Sequence, residues 1–266
     1  MYRVREGGRG SYDPCMAKAS GKARAAPRGA GPRTGRSGSG ERDRAAGLLK
    51  ALDRHYPGAS CALHFSSPHE LLVATILSAQ ATDVSVNRAT PALFARFPTP
   101  GDYARATPGE IEPYVRSIGL YRNKSRAIHE SMRAVVERFG GRVPGTMEEL
   151  LTLRGVARKT ANVVLSNAFA RHEGVVVDTH VQRLATRFGL VEPGASPRAI
   201  ERRLMELFPR ERWGDLSHML IAHGRGACKA RSSSCADHPI CREFGVACPL
   251  DAARGARVTS RRAGRG

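Results

Sequence analysis

The sequence predicts an all-α fold, and three observations carry that prediction. Helix starts are marked three times by a hydroxyl residue with Glu three positions on, at Ser67-Pro68-His69-Glu70, Thr107-Pro108-Gly109-Glu110 and Thr146-Met147-Glu148-Glu149. Strand-like alternation is absent, the single β-branched run being Val175–Val177. Gly-bearing breaks at 119, 140–141, 155, 189 and 194 divide the chain into short segments. A chain of 266 residues, 41% of them apolar, is long enough for two lobes sharing a core.

In chain order, residues 1–40 hold nine Lys/Arg against two Asp/Glu and lack Leu, Ile and Phe. Such a segment cannot bury enough surface to offset its ordering entropy and is expected to be a disordered basic arm. The segment 71–79, LLVATILSA, is apolar on nearly every side and predicts a central buried helix. Ile128, Met132, Val135, Val136 and Phe139 have the spacing of an amphipathic helix laid on that core. A further helix is expected to end at Leu153, followed by the tight turn Arg154-Gly155-Val156-Ala157 and a second helix from near Arg158. The run Val175–Val177 then delivers Asp178 to the start of a helix over 179–188. Residues 251–266 form a second Gly/Ala/Arg-rich tail, also expected to be disordered.

Charge narrows the function class. Lys plus Arg number 43 against 24 Asp plus Glu, a net +19, of which +7 lies in residues 1–40 and +4 in 251–266. So basic a protein meets a polyanion, either nucleic acid or an anionic membrane surface. The membrane reading is set aside, because no window approaches about 20 consecutive apolar residues and no apolar signal core follows Met1. Of six cysteines, Cys15 lies in the arm and Cys61 stands alone, while Cys228, Cys235, Cys241 and Cys248 crowd together. Without an export signal, that cluster points to a metal rather than to disulfides. Four thiolates suit an iron–sulfur cluster or a structural zinc equally well.

Four stretches carry chemistry. A helix, a Gly-bearing hairpin and a second helix can grip one phosphate without reading sequence, through turn N–H groups and the helix dipole, although most such patterns are ordinary αα-hairpins. Lys159, in the first turn of the second helix and beside Arg158, has its neutral form favoured there, as an imine-forming nucleophile requires; a phosphate contact is the plainer reading. Asp178 reads first as an N-cap, and capping also keeps a carboxylate ionised and aimed. At Leu77–Asp83 a buried helix runs out into polar residues. At Ile118–Lys124 an apolar and an aromatic side chain sit in a basic loop, where Leu120 either covers the core or wedges into a base stack.

Together these stretches resemble the endonuclease III branch of the helix-hairpin-helix DNA glycosylases. LSAQATD, IGLYRNK, GVARKTANVVL, VDTHV and HGRGAC occur in family order over about residues 44–250. The resemblance implies a two-lobed helical glycosylase fold with an iron–sulfur loop. The expected divisions are a barrel domain over 61–171 containing the hairpin, and a terminal domain over 41–60 and 172–250 containing the cysteines. It implies Lys159 as nucleophile, Asp178 as its activating carboxylate, and Gln80 and Leu120 as fillers of the hole left by a flipped nucleotide. It further implies Gly155, Ala157 and Arg158 as hairpin contacts to DNA, and Cys228, Cys235, Cys241 and Cys248 as ligands of a [4Fe-4S] cluster, with structural zinc as the alternative. The expected partner is duplex DNA bearing oxidised pyrimidines or abasic sites, met by a monomer with no membrane association. In a bacterium that means the cytoplasm, at the nucleoid; otherwise a DNA-containing compartment.

The adenine-mismatch branch of the superfamily lacks a lysine at the position of Lys159, so its presence favours a bifunctional glycosylase and lyase. The alternatives are a monofunctional glycosylase, a non-enzymatic helix-hairpin-helix module and a metal-dependent nuclease, the last short of clustered carboxylates. Two features depart from the family pattern. The family hairpin is typically Leu-Pro-Gly-Val-Gly, whereas Arg154 and Ala157 stand here for the Pro and the second Gly. If that second position demanded positive φ, Ala157 would cost on the order of 1 kcal/mol and loosen the phosphate grip, with Arg154 compensating by charge. The cysteine spacing is six, five and six residues where the family has six, two and five, and His238 stands where the third cysteine is expected.

Overall fold

The computed structural model describes residues 38–231 and 238–246; both terminal arms, Cys235 and Cys248 lie outside the described residues. Among those residues are twelve α-helices, one short 3-10 helix and no strand. The helices are α1 (Gly38–His55), α2 (Pro68–Ser78), α3 (Asp83–Arg96), α4 (Pro100–Arg105), α5 (Pro108–Val115), α6 (Tyr121–Phe139), α7 (Met147–Leu150), α8 (Arg158–Phe169), α9 (Thr179–Arg187), α10 (Pro197–Leu207), α11 (Trp213–Gly226) and α12 (Pro239–Phe244).

Helix starts follow the local chemistry. Glu70 N–H donates to Ser67 Oγ at 3.4 Å, but the Glu70 carboxylate turns to Ser66 N–H, so this box closes on the preceding residue. Glu110 returns its carboxylate to Thr107 N–H at 2.7 Å. At the third start, Glu149 N–H donates to Thr146 Oγ1 and the hydroxyl itself bonds the Glu149 carboxylate. A fourth, complete box joins Thr99 and Asp102 at the head of α4. Its N3 residue is Asp102 rather than a Glu, so it falls outside the hydroxyl-to-Glu pattern.

Two apolar clusters organise these helices. The first is drawn from residues 63–168 and has α2 at its centre, Leu71–Leu77 being buried throughout and flanked by α3, α6 and α8. The second joins 45–52 of α1 to 175–244, packing α9, α10, α11 and α12 around Leu184, Phe188, Leu204 and Leu216. On α6, Ile128, Met132 and Val135 are buried as the spacing requires, and Phe139 packs at the edge of the cluster. Val136 departs from that expectation and faces outward, since i+8 from Ile128 falls at the margin of the apolar stripe.

The helix before the hairpin is also shorter than expected. It ends at Leu150, and residues 151–153 continue as tight turns, Thr152 N–H to Glu149 O and Leu153 N–H to Leu150 O. The chain then turns at Gly155, whose φ of 79° lies in the left-handed region. A Cβ there would come within 3.2 Å of Ala127 Cβ, so both backbone freedom and the lack of a side chain are used.

Candidate active site and metal-binding loop

A cavity of about 300 Å³ opens between the two clusters. Lys159, Thr160 and Val163 line it from α8, Gln80 from the loop after α2, and Asp178 and His218 from the second cluster's side. Lys159 is exposed and Asp178 half-buried. Asp178 caps α9 through Oδ1, which accepts from His180 N–H at 2.8 Å and Val181 N–H at 2.9 Å. Among the described residues no hydrogen bond reaches its Oδ2. One oxygen therefore fixes the carboxylate while the other is left for a ligand.

The start of α8 differs from its neighbours. Side chains cap α2, α3, α7, α9 and α10, whereas Ala157, the N-cap of α8, has nothing to offer the first N–H groups of the helix. Those donors at an exposed turn are free for an anion. Ala157 sits at φ −94° and ψ 169°, an extended conformation open to any residue. The expected cost of alanine at this position is therefore absent. Arg154 is committed elsewhere, its Nη1 lying 2.5 Å from Glu130 Oε1 on α6, while Ser131 Oγ donates to the Arg154 carbonyl. In the free protein it braces the hairpin rather than adding unpaired charge to the grip. Arg158 likewise gives its Nε to both oxygens of Glu201.

Gln80 and Leu120 share a backbone oddity. Both are non-glycine residues in the left-handed region, at φ 55° and 61°, and Leu120 is 58% exposed. The expected break at Gly119 is thus taken one residue later, by Leu120 as the N-cap of α6. Lys124, in the first turn of that helix, is 6% exposed and donates from Nζ to the Leu77 carbonyl at 2.8 Å. It ties the end of α2 to the start of α6. Burial holds its ammonium below the usual lysine range.

Against this geometry stand the relatives. The HhH-GPD superfamily of base excision DNA repair proteins matches residues 73–210. Endonuclease III of Synechocystis is 50% identical over 211 residues, covering 79% of this chain and 93% of the relative. That of Bacillus subtilis is 44% identical over 198 residues, covering 73% and 90%. A solved non-covalent endonuclease III–DNA complex aligns with a TM-score of 0.74 at 39% identity, covering 81% of this chain and 98% of that one. A trapped endonuclease III–DNA covalent intermediate aligns equally well, with 80% and 98% covered. The chain belongs to the endonuclease III family.

Several cavity residues were not singled out from sequence. His218 hydrogen-bonds Asn167 Oδ1 at 2.9 Å, and burial lowers its pKa, keeping the ring neutral near pH 7. Nothing in its local sequence marks it, since its partner is 51 residues away. Asp83 and Arg225 pair at 2.5 Å across the mouth; both stood inside recognised motifs, LSAQATD and HGRGAC, without an assigned role. Cys61 also lines the cavity, and burial pushes its thiol up to about 11, so it is no nucleophile at neutral pH.

The cysteine loop shows two of its four thiols. Cys228 and Cys241 are buried against each other, and the neighbouring Cys241 thiol, with His223 and Arg187, draws the Cys228 thiol well below the ordinary range against its burial. Arg187 Nη1 donates to Cys228 Sγ at 3.0 Å. His238 caps α12, its Nδ1 accepting from Ile240 N–H, so its neutral ring carries the proton on Nε2, 3.4 Å from Tyr56 Oη. Tyr56 Oη then donates to His223 Nδ1 at 2.8 Å, leaving His223 Nε2–H to donate to Cys241 Sγ at 3.2 Å. These contacts run from His238 through Tyr56 and His223 to the Cys241 sulfur. His223, His238 and Cys241 bring ligand atoms within 4.8 Å of one another, a grouping that could hold a metal ion.

Proposed function

We propose that this member of the family excises oxidised pyrimidines from duplex DNA and cleaves the abasic strand through an imine on Lys159. The observation that carries the reading is the single cavity lined by both Lys159 and the half-free carboxylate of Asp178, beside the uncapped start of α8. The existence of a trapped covalent DNA intermediate in a relative supports it. The two apolar clusters support the domain reading, a barrel over 61–171 and a terminal domain over 41–60 with 172–250.

The reaction follows from the parts. C1′ is out of reach inside a stacked duplex, so the nucleotide must be extruded, at a cost of about a few kcal/mol that is smallest for non-planar, badly stacked bases. Leu120 and Gln80 fill the space left behind, and the N–H groups at Gly155, Ala157 and the head of α8 hold a backbone phosphate. The Lys159 nitrogen attacks C1′ through its lone pair while Asp178 stabilises the positive charge developing on the sugar. The glycosidic bond breaks, the base leaving with its electron pair and taking a proton; the C1′–O4′ bond then opens, O4′ taking up the proton that the Lys159 nitrogen sheds as the C1′=N bond forms. The resulting imine acidifies C2′; loss of that proton expels the 3′ phosphate. Backbone contacts dominate the grip, giving damage selectivity with little sequence selectivity.

The thiol loop fits a [4Fe-4S] cluster held by Cys228, Cys235, Cys241 and Cys248. Its two described sulfurs are buried, face each other and each receive a donor, as cluster thiolates do. When bound, the cluster supplies a cross-link for the loop rather than a step of the excision. The donor chain from His238 through Tyr56 favours His238 as a hydrogen-bonding residue. A colourless protein with one zinc would favour the zinc alternative.

Borohydride trapping on an abasic duplex tests the mechanism. The wild type should be trapped covalently, and Lys159→Gln should abolish trapping while still binding the duplex. Undiminished trapping in that variant would remove Lys159 from the reaction, and excision without trapping in the wild type would favour a monofunctional glycosylase.

A further inference from the structure

One buried carboxylate is spent on neither the cavity nor the metal loop. Glu201, on α10, is 7% exposed. Its Oε1 and Oε2 accept from Arg158 Nε at 3.1 and 3.0 Å, and Oε1 also accepts from Asn162 Nδ2 at 2.8 Å. Arg158 and Asn162 stand four residues apart at the start of α8, on one face of the helix. Lys159, Thr160 and Val163 occupy the other face and line the cavity. The helix therefore divides its labour, gripping Glu201 with one face and presenting the amine with the other.

The same carboxylate meets a third segment. The chain approaching Asp178 passes at Gly174, where a Cβ would collide with Glu201 Oε1 and fall 2.6 Å from Asn162 Nδ2. Only glycine lets the backbone lie against this pair. One residue earlier, the Glu173 carbonyl accepts from Arg158 Nη2 at 3.4 Å. Glu201 thus joins three things: the helix start that bears Lys159, the run that bears Asp178, and the second apolar cluster. A carboxylate this buried is tolerable only while its donors stay in place, which makes the junction intolerant of slippage. Reacting groups misplaced by about 1 Å lose on the order of a hundredfold in rate.

We infer that Glu201 is a positioning residue for the excision reaction, setting the separation of Lys159 and Asp178 by clamping the start of α8 against the Gly174 turn. This rests on the roles given above to Lys159 and Asp178. Three quantities test it on the full-length protein with Glu201→Gln. They are the single-turnover rate of borohydride trapping on an abasic duplex, the active fraction by burst titration, and the Kd for a duplex carrying a tetrahydrofuran abasic analogue. The trapping rate per active molecule should fall by about tenfold or more, with Kd within about twofold. Arg158→Lys keeps the charge toward the duplex and loses the Nε contact; its trapping rate per active molecule at saturating duplex should fall in the same direction by less, and it serves as the foldable variant if Glu201→Gln is unstable. The double variant should be no slower than the slower single one, because the two side chains act as a unit. A trapping rate per active molecule within about twofold of wild type in both single variants would reduce Glu201 to a structural strut. Retained trapping in Lys159→Gln would instead overturn the nucleophile, so the two failures are separable.

Discussion

The two apolar clusters are held together by different means. In the 63–168 cluster the interior is almost wholly aliphatic, and its buried polar groups, such as Thr75 and Lys124, bond to carbonyls close by in space. In the cluster joining 45–52 to 175–244, long cationic side chains reach across the fold. Arg187 reaches Cys228 and Lys229, Arg183 reaches the Gly224 and Cys228 carbonyls, and Arg212 reaches Asp53. Apolar burial carries no charge for salt to screen and no ligand for a metal, whereas thiol and guanidinium contacts do. The side presenting Asp178 is therefore expected to answer to salt and metal more than the side presenting Lys159.

The largest expected effect lies at the meeting of the two. Asp178→Asn keeps a side chain able to cap α9, so circular dichroism and melting should be nearly unchanged while base excision falls by about a hundredfold or more. Excision within about twofold of wild type would make Asp178 a cap only. Next comes Cys228→Ser, which should cost about 3 kcal/mol or more if Cys228 is the metal ligand proposed above. Hydrogen exchange should then show lost amide protection in α9 and α11 with α2 and α6 still protected; uniform loss would mean that the two clusters unfold as one. Gly155→Ala should cost about 1–2 kcal/mol from its positive φ, with further loss of duplex affinity at the hairpin. The smallest effect is reserved for Arg154→Ala. Its pair with Glu130 is exposed, so the melting midpoint should move by less than about 2 °C. A larger shift would show that the aliphatic cluster leans on ion pairs after all.

What could be read beforehand followed the range of the interaction. Pro68, Pro108 and their hydroxyl N-caps act over three residues, and 71–79 announces its burial by composition, so those helices were legible. The placement of Lys159 and Asp178 at helix starts was legible because each lies inside a dense motif. The Asn167–His218 contact and the Arg158–Glu201–Asn162 junction span 51, 43 and 39 residues, with no periodicity to betray them. The condition set on Ala157, a positive φ, is not met, for a related reason. The strain of a turn belongs to one φ angle, and the hairpin places its positive φ at Gly155 alone, sparing the residue two positions on. Cys235 and Cys248 lie outside the described residues, so the expectation for them stays as the spacing left it.

Gln80 and Leu120 hold an unfavourable backbone before any DNA arrives. Each costs about 1–2 kcal/mol that a glycine would avoid. The free enzyme is less stable than its sequence could allow, and the deficit sits at the two positions proposed to enter the duplex. A selection for heat resistance alone would drift toward glycine at 80 and 120 and discard the loops' ready-made shape. Gly variants at these sites should melt higher than wild type yet extrude a base more slowly, as 2-aminopurine fluorescence would report. A rise in both stability and extrusion rate would mean that the shape serves no purpose in binding.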